Sequence, residues 1–267
     1  MRGSIGWSGY AGANPTYNCK AENQSAAAAA NAVTMMIFFD IDGTLIDQRK
    51  AETVAAGHFL ALYGRLLERR YTVEEFCVIW RRLREKHARG FLDGRISWVE
   101  QQRRRMRELF FARQQRLSDA EADARFRFYQ SRYRDSWTLF DDVAVALKSL
   151  SGHRLGIISN GSLEQQLAKL RRTGIGDLFS VVVISEQAGV AKPDRRIFLA
   201  ACRQAQCSPE EAVHIGDHLD LDAGPSRAAG LRALWLDRTG SGSPHNGIEV
   251  IHSLFQLAPC VRNRSAA

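Results

Sequence analysis

The amino-acid sequence predicts an α/β protein, a doubly wound parallel sheet that carries an inserted helical domain. Five short runs are rich in Val, Ile, Leu or Phe without alternating polar residues, as expected of strands buried on both faces of a parallel sheet. Helical stretches separate these runs, which predicts helices on both faces of the sheet. A long gap after the first run predicts the insertion. The predicted strands span residues 35–41, 154–159, 181–185, 212–216 and 232–236.

Three helices are predicted between the later strands. They cover residues 162–172, 193–206 and 222–229. Gly174 and Gly230 lie just beyond the first and the third helix, where glycine commonly ends a helix. Pro193 is predicted at the first position of the second helix, where its missing N–H costs no hydrogen bond.

More than 110 residues separate the first two predicted strands, far more than one crossover needs. The surplus, residues 49–134, has the pattern of four amphipathic helices. Two capping-box patterns mark helix starts, and two glycines mark a break. The capping boxes are Thr72-x-x-Glu75 and Ser118-x-x-Glu121, and the glycines are Gly90 and Gly94.

We expect both ends of the chain to lie outside the fold. Residues 1–34 are rich in Gly, Ser, Asn and Ala and lack the apolar segment of a signal peptide. They are predicted to be a disordered leader that resembles an expression-vector extension, and Met35 or Met36 would be a sensible natural start. The predicted limits are 35–48 and 136–259 for the core, 49–135 for the inserted domain and 260–267 for a tail.

The excess positive charge lies in the insertion. From Asp47 to Asp135 there are 21 Lys and Arg against 13 Asp and Glu, so this segment holds the whole net charge of +8. Basic runs such as residues 103–107 can bind nucleic acid. A solvated arginine-rich helix face with interspersed glutamates explains the charge better than nucleic-acid binding does. A third explanation is that the charge attracts an anionic small substrate. We therefore do not expect a nucleic-acid partner.

The cysteines are scattered and odd in number, without a CxxC pair or a zinc spacing. We expect reduced thiols in a cytoplasmic protein. No apolar run reaches the ~18 residues of a membrane span, so no membrane partner is expected. The sequence leaves open whether the protein is a monomer or a homodimer. The five cysteines are Cys19, Cys77, Cys202, Cys207 and Cys260.

The first predicted strand delivers two carboxylates, Asp40 and Asp42, to a turn at Gly43. Residues i and i+2 of an extended segment project to the same side. Carboxylates this close repel each other, so their pKa values separate and their roles differ, unless a cation lies between them. The pair predicts a nucleophile, a proton donor and a divalent metal. The alternative is an acidic turn that only closes the strand.

Polar groups also follow the second and third strands, at the sheet edge where open α/β sheets bind ligands. Ser159, Asn160 and Gly161 offer a hydroxyl, an amide and a helix-opening turn that can present N–H groups to an anion. Lys192 lies just before a predicted helix start, where a cation is unfavourable unless it meets an anion. It is a candidate phosphate ligand. An ordinary turn and a surface lysine are the alternatives.

A second acidic cluster, Asp217, Asp220 and Asp222, follows the fourth strand. It is well placed to complete a metal site with the first strand. Mg²⁺ takes oxygen ligands and keeps several waters, so two or three protein oxygens plus a substrate phosphate suffice. Capping of the next helix is the alternative for each aspartate.

These four motifs, in this order, resemble the haloacid dehalogenase superfamily. The family pattern is DxDGT, a strand-ending Ser or Thr, a Lys before a helix, and GDxxxxD. The resemblance covers about residues 35–238 and implies a Rossmann-like core with a helical cap domain inserted after strand one. The matching positions are Asp40–Thr44, Ser159, Lys192, and Asp217 with Asp222.

The resemblance implies a phosphatase mechanism with Mg²⁺ as cofactor. Asp40 would attack phosphorus and form an aspartyl-phosphate. Asp42 would protonate the leaving oxygen and then activate the hydrolytic water. Mg²⁺ would be held by Asp40, the backbone carbonyl of Asp42, and Asp217.

The resemblance also implies how the phosphoryl group is held. Ser159, the N–H of Asn160, and Lys192 would contact the phosphoryl oxygens. Asp222 would orient Lys192 or the waters on the metal. Thr44 and Gly161 are expected in supporting positions.

Asp42 separates the branches of the family. Dehalogenases attack carbon, need no proton donor for a halide and lack the second aspartate. Hydrolysis of a small phosphorylated metabolite, of the nucleotide or sugar phosphate type, is therefore favoured over dehalogenation. A phosphomutase would share the motifs. A phosphonatase needs a Schiff-base lysine in the cap, which here holds only Lys50 and Lys86.

The cap is expected to close over the site and to select the leaving group. Residues 94–100 and the arginine-rich helix after them are loosely similar to the cap of nucleotidase-like and broad-specificity phosphatases, and His218 fits that group. Phe91, Trp98 or Tyr129 could stack on a base or a sugar, although aromatic residues at helical spacing are usually core. The sequence leaves the substrate open.

Overall fold

Six parallel strands form the central sheet. This computed structural model describes residues 34–92, 95–111, 116–240 and 247–262. The strands are β1 Met36–Phe39, β2 Arg154–Ser159, β3 Val181–Ile184, β4 Ala212–Gly216, β5 Arg232–Leu236 and β6 Glu249–Ile251. Their order is β3-β2-β1-β4-β5-β6, and every neighbouring pair is parallel. The order reverses beside β1, and that is where an open α/β sheet forms a crevice.

The sheet confirms the predicted fold class and five predicted strands. β1 ends at Phe39 because the chain then turns, although the N–H of Asp40 still donates to the carbonyl of Ile215 at 2.9 Å. β3 ends one residue early because Ser185 begins a helix. β6 was not predicted, because three residues with an exposed Glu249 give no apolar run.

Helices cover both faces of the sheet. Ile37 and Phe39 pack into one buried cluster, whereas Met36 and Phe38 pack into another, so β1 is buried on both sides. The helices are α1 Gln48–Tyr63, α2 Val73–Leu92, α3 Trp98–Phe111, α4 Asp119–Asp135, α5 Val143–Ser149, α6 Leu163–Arg172, α7 Ser185–Ala188, α8 Arg195–Ala205, α9 Gly224–Ala228 and α10 Leu257–Arg262.

Two predicted helix starts are corrected. α8 begins at Arg195, because the side chain of Asp194 caps it by accepting from the N–H of Arg196 at 2.9 Å. Pro193 therefore lies outside the helix and not at its first position. The helix predicted over 222–229 is instead a π-helical turn, Leu219–Ala223, followed by the short α9.

The four helices α1 to α4 lie between β1 and β2 in the chain, as predicted. Phe59 of α1 is fully buried at their centre. Its ring centroid lies 5.3 Å from that of Phe76, 6.3 Å from that of Phe110 and 6.2 Å from that of Tyr129. Because these rings come from α2, α3 and α4, one aromatic cluster joins all four helices.

Both predicted capping boxes form. The N–H of Glu75 donates to Thr72 Oγ1 at 3.2 Å, and the N–H of Thr72 donates to the Glu75 carboxylate at 2.9 Å. Ser118 and Glu121 make the same reciprocal pair at the start of α4. Each box satisfies N–H groups that a helix start leaves without partners.

The ends of the chain differ in part from the prediction. Residues 1–33 and 263–267 lie outside the described residues, and so does Gly94. The predicted tail begins too early, because residues up to Arg262 belong to α10 and Val261 is 3% exposed.

Two smaller expectations concern membranes and thiols. Within the described ranges, each helix is too short or too polar to span a membrane. The four cysteines in those ranges, Cys77, Cys202, Cys207 and Cys260, are free thiols. Cys19 lies outside them.

Asp142 attaches the C-terminal segment to the core. Its carboxylate is buried and accepts from the Arg238 guanidinium at 2.9 and 3.0 Å. It also accepts from Ser253 Oγ at 2.7 Å and from the N–H of Leu254 at 2.8 Å. One side chain therefore joins the segments that follow β5 and β6.

We predict that Asp142→Asn lowers the free energy of unfolding by about 3 kcal/mol, because it removes the charge that compensates Arg238 and replaces an acceptor with a donor. Urea denaturation measures this loss. The control is Asp141→Asn, an exposed neighbour, which should change stability by less than about 0.5 kcal/mol. Equal effects of the two substitutions would contradict the role given to Asp142.

Candidate active site

The strand ends bring the predicted motifs together. β1 lies between β2 and β4, with Phe39 in register with Ile157 and Ile215. The residues just beyond these positions therefore meet at one edge of the sheet. Asp40, Ser159 and Asp217 all lie there and line the same cavity.

Asp40 is the most constrained carboxylate at this edge. It is 5% exposed, and its Oδ1 accepts from Ser159 Oγ at 3.0 Å and from Lys192 Nζ at 2.6 Å. Burial raises the pKa of Asp40 to about 6, although the Lys192 ammonium opposes that shift. These contacts occupy one oxygen, and Oδ2 accepts no hydrogen bond from a described side chain.

Lys192 lies between two carboxylates. Its Nζ donates to Asp40 Oδ1 and, at 2.5 Å, to Asp222 Oδ1. Burial alone would lower the pKa of Lys192, but Asp222 and Asp40 outweigh it and raise that pKa above its ordinary value. Asn160 fixes the backbone here, since its Oδ1 accepts from the Lys192 N–H at 2.8 Å and its Nδ2 donates to the Lys192 carbonyl at 2.9 Å.

Asp222 supports Lys192 from the interior. It is 2% exposed and also accepts from the N–H of His218 at 3.1 Å. His214 Nε2 lies 3.2 Å from Asp222 Oδ1, and His214 is fully buried within β4. Burial raises the pKa of Asp222, but Lys192 and His214 outweigh it and hold that pKa well below its usual range. The contact agrees with the orienting role predicted for Asp222, and that role stays a prediction.

A carboxylate cluster at the same edge fits a divalent cation. Asp40, Asp217 and Asp222 each offer an oxygen, and the three oxygens lie within 4.8 Å of one another. Asp217 is itself exposed at the cavity mouth, but loss of water around its carboxylate, followed by repulsion from Asp40, raises the pKa of Asp217 to about 7. Lys192 is shared between Asp40 and Asp222, so the three carboxylates together carry more negative charge than this one lysine compensates. Oxygen-only donors of this kind suit Mg²⁺. Since Asp222 Oδ1 bonds Lys192, Asp40 and Asp217 are the better ligands.

Two glycines permit these close approaches. At Gly43, where φ is +81°, an added Cβ would lie 2.2 Å from Asp217 Oδ2. At Gly216 it would lie 2.3 Å from Asp222 Cγ. Any side chain at either position would therefore push a carboxylate away from the cluster.

Asp42 has partners that the sequence did not indicate. Its two carboxylate oxygens each lie 2.6 Å from Lys169 Nζ, and Gln166 Nε2 donates to its Oδ2 at 3.0 Å. Gln166 also donates to Ser159 Oγ at 2.9 Å. Both new residues are buried on α6, at positions i and i+3 that share a helix face. A lysine on the apolar face of a helix is the signal that could have found them.

The remaining predicted residues lie close by. Thr44 is fully buried, and its carbonyl accepts from Arg238 at 2.8 Å. Gly161 has φ of +138°, a conformation that favours glycine, and its N–H donates to Ser185 Oγ at 3.0 Å. The structure thus gathers every predicted site residue at one sheet edge or directly behind it.

The insertion forms the other side of the cavity, whose volume is about 640 Å³. Trp98 and Tyr129 line it, and their stacking on a base or a sugar stays a prediction. Tyr129 also belongs to the aromatic cluster and is 5% exposed, which agrees with the expectation that such residues are usually core. The side chain of Phe91 lies outside the described part of the chain. His218 lines the cavity from the core.

Known proteins share this architecture. The hydrolase YfnB of Bacillus subtilis, solved bound to magnesium, superposes with a TM-score of 0.69 at 21% identity over 85% of this chain and 98% of that one. A 2-haloacid dehalogenase of Pseudomonas syringae pv. tomato gives a TM-score of 0.63 at 27% identity over 87% and 100%.

Curated relatives match in sequence as well. The glyceraldehyde 3-phosphate phosphatase of Methanopyrus kandleri is 43% identical over 37% of this chain and 43% of its own length. The phosphoserine phosphatase of Thermus thermophilus is 40% identical over 42% and 45%. The matched part thus spans less than half the length of these two relatives. Residues 34–230 match the haloacid dehalogenase-like hydrolases, most of the chain, and the protein belongs to that family.

Proposed function

We propose that the protein is a Mg²⁺-dependent phosphatase that hydrolyses small phosphorylated metabolites through an aspartyl-phosphate on Asp40. The buried Asp40, held at one oxygen by Lys192 and Ser159, is the observation that carries this proposal. The named phosphatases among the matching proteins support the reaction class. A pyrimidine 5'-nucleotidase of Escherichia coli, 35% identical over 42% of this chain and 52% of its own length, supports it too.

The first step is attack by Asp40 on phosphorus. Hydrogen bonds to Oδ1 fix the plane of the carboxylate and leave Oδ2 to form the new bond. Lys192 and Ser159 remain close to the developing negative charge on the phosphoryl oxygens. Bound Mg²⁺, held by Asp40 and Asp217 with the Asp42 carbonyl, would reduce the repulsion between carboxylate and phosphate.

Asp42 serves as the proton donor and then as the base. It gives a proton to the leaving oxygen, and as a carboxylate it then takes one from the water that attacks the aspartyl-phosphate. Lys169 stabilises the carboxylate that remains after the first transfer, and Gln166 fixes its orientation. The two residues on α6 therefore position Asp42 for both steps.

The competing functions fit less well. A dehalogenase expels halide, which needs no proton, so Asp42 with its partners Lys169 and Gln166 would have no role in that reaction. Several basic residues of the insertion form ion pairs, as Arg103 does with Asp119 and Asp123, which makes their charge less available to nucleic acid. A phosphomutase would keep phosphate on its product, so release of inorganic phosphate distinguishes a phosphatase from a phosphomutase.

We also propose that residues 49–135 act as the cap over a core of 35–48 and 136–259.

The nucleophile is tested by substitution. We predict that Asp40→Asn lowers Mg²⁺-dependent phosphate release from p-nitrophenyl phosphate by at least 10⁴-fold, because an amide neither attacks phosphorus nor forms the intermediate. Asp220→Asn removes an exposed carboxylate close to the cluster and should alter the rate by less than about threefold. Substantial activity in a folded Asp40→Asn protein would exclude the mechanism.

Metal binding is tested through stability. The folded pKa values of Asp40 and Asp217, about 6 and about 7, exceed the ordinary 3.8. In metal-free protein the two groups therefore favour folding at low pH, and that contribution is lost as pH rises through 6 and 7. Mg²⁺ offsets the loss, so we predict that saturating Mg²⁺ raises Tm by about 5 °C at pH 8 and by under about 2 °C at pH 5.

The reference in this comparison is the same protein in EDTA. Asp217→Asn should abolish the Mg²⁺-dependent increase at pH 8, whereas Asp220→Asn should retain it. An increase that is equal at both pH values, or that survives Asp217→Asn, would contradict the proposed ligands.

The role of Lys169 is tested by leaving-group dependence. We predict that Lys169→Met slows hydrolysis of an alkyl phosphate about 100-fold but that of p-nitrophenyl phosphate about tenfold, because only the alkoxide depends strongly on the proton from Asp42. Steady-state kcat measures both. Lys148→Met, an exposed lysine, is the control and should slow neither substrate. Equal losses on the two substrates would indicate a structural role alone.

A further inference from the structure

The insertion buries a cation without a counter-ion. Arg105 of α3 is 6% exposed and lines the cavity. Its guanidinium carbon lies 4.0 Å from the ring centroid of Trp80 and 5.4 Å from that of Phe126. Its Nε is buried and makes no hydrogen bond, and no carboxylate of the described residues forms an ion pair with it. A buried charge of this kind is costly unless a partner compensates it.

The surrounding donors are free as well. Gln101, Tyr129 and Tyr133 are 2%, 5% and 8% exposed, and all three line the cavity. Among the described residues, none of their side chains makes a hydrogen bond to another group. Buried amide and phenol groups normally find partners. Gln101 lies one turn before Arg105 on α3, Tyr129 interacts with Arg105, and Tyr133 lies close to Asp42 in the same cavity. With the unpaired guanidinium, these groups offer donors to an acceptor that enters the cavity.

Glu52 also lines the cavity, and its charge partly offsets the fall in the pKa of Arg105 that burial causes, but it forms its ion pairs with other arginines. Glu52 is 3% exposed, and it accepts from Arg84 at 2.7 Å, from Arg81 at 3.4 Å and from Gln48 at 3.0 Å. Its negative charge is thus balanced by two cations other than Arg105. Arg81 and Arg84 together exceed Glu52 by one positive charge, so these three side chains are net positive even before Arg105 is counted.

Exposed arginines of the same helix behave differently. Arg104 pairs with Glu100 at 2.8 Å, and Arg107 pairs with Asp119. Arg105, the more buried residue, is the one left without an acid. If stability alone decided the pairing, the buried Arg105 would have the acid and a more exposed arginine would lack one, because an unpaired charge costs least free energy in water.

From these contacts we infer that Arg105, with Gln101, Tyr129 and Tyr133, forms an anion-binding subsite for the leaving group of the substrate. Such a subsite implies that the substrate is a phosphate monoester whose alcohol carries a second anionic group, either a carboxylate or another phosphate. This inference rests on the proposed phosphatase function. Asp40 and Lys192 would hold the phosphate that is cleaved, and the Arg105 group would hold the second anion. Both lie in one cavity of about 640 Å³, a size suited to a small metabolite.

Three substrates on one carbon frame test the subsite. Glycerol 1-phosphate has a neutral alcohol, 3-phosphoglycerate adds a carboxylate, and glycerol 1,3-bisphosphate adds a second phosphate. We expect kcat/KM for the better acidic substrate to exceed that for glycerol 1-phosphate by about 10- to 100-fold, the usual effect of a charged hydrogen bond. The acidic substrate with the larger ratio identifies carboxylate or phosphate as the preferred anion.

Variants assign the preference to Arg105. Arg105→Met should lower the ratio of acidic to neutral kcat/KM to near 1, Arg105→Lys should retain part of it, and Arg104→Met on the exposed side of α3 should leave it unchanged. Circular dichroism and Tm establish that each variant is folded. An acidic preference that persists in folded Arg105→Met would overturn the subsite.

A wild-type measurement keeps the inference testable if Arg105→Met fails to fold. Glycerate should inhibit hydrolysis of glycerol 1-phosphate competitively, whereas glycerol should not. If p-nitrophenyl phosphate is hydrolysed but the acidic substrates and glycerate show no advantage, the subsite is wrong and the phosphatase function stands. If no phosphate ester is hydrolysed, the proposed function itself fails, and the subsite with it.

Discussion

The active site depends on how one buried lysine is neutralised. Lys192, 6% exposed, lies between Asp40 after β1 and Asp222 after β4. Loss of Lys192 would leave two buried carboxylates without the cation they share, and an uncompensated buried charge costs about 3–5 kcal/mol in comparable sites. The ion pairs therefore hold three separate loops in fixed positions at the sheet edge. The same contacts that stabilise the loops also orient Asp40, so the stability of the loops and the orientation of the proposed nucleophile have one origin.

Charge is distributed unequally across the cavity. The core side holds Asp40 and Asp217, whose raised pKa values reflect negative charge in need of a cation. The insertion side holds Arg105, whose pKa falls to about 9 because of burial and the nearby Arg84, yet which stays positive at neutral pH. The proposed metal site and the proposed anion subsite therefore differ in the sign of their charge. A substrate with two separated anionic groups, one of them met by Mg²⁺, would compensate both.

The sequence predicts those parts of the site that lie at strand ends. Asp40, Ser159 and Asp217 follow apolar runs, so parallel pairing alone brings them together. Lys169 cannot be found by this argument, because its contact with Asp42 depends on where α6 lies relative to the turn that follows β1. His214 lies within an apolar strand, so the sequence gives no reason to place it in the site. Only its contact with Asp222 in the folded protein shows that it belongs there. Local signals also misplace the start of α8 and omit β6, since capping by a neighbour and three-residue pairing are decided by tertiary structure.

The central claim is that Asp40 itself attacks phosphorus before water does. The stereochemical course at phosphorus tests this most directly, with a phosphate ester made chiral by oxygen isotopes and an alcohol as the acceptor in place of water. Attack by Asp40 followed by attack of the acceptor gives two in-line displacements. The account therefore predicts net retention of configuration. Net inversion would show a single displacement, and would contradict an aspartyl-phosphate on Asp40.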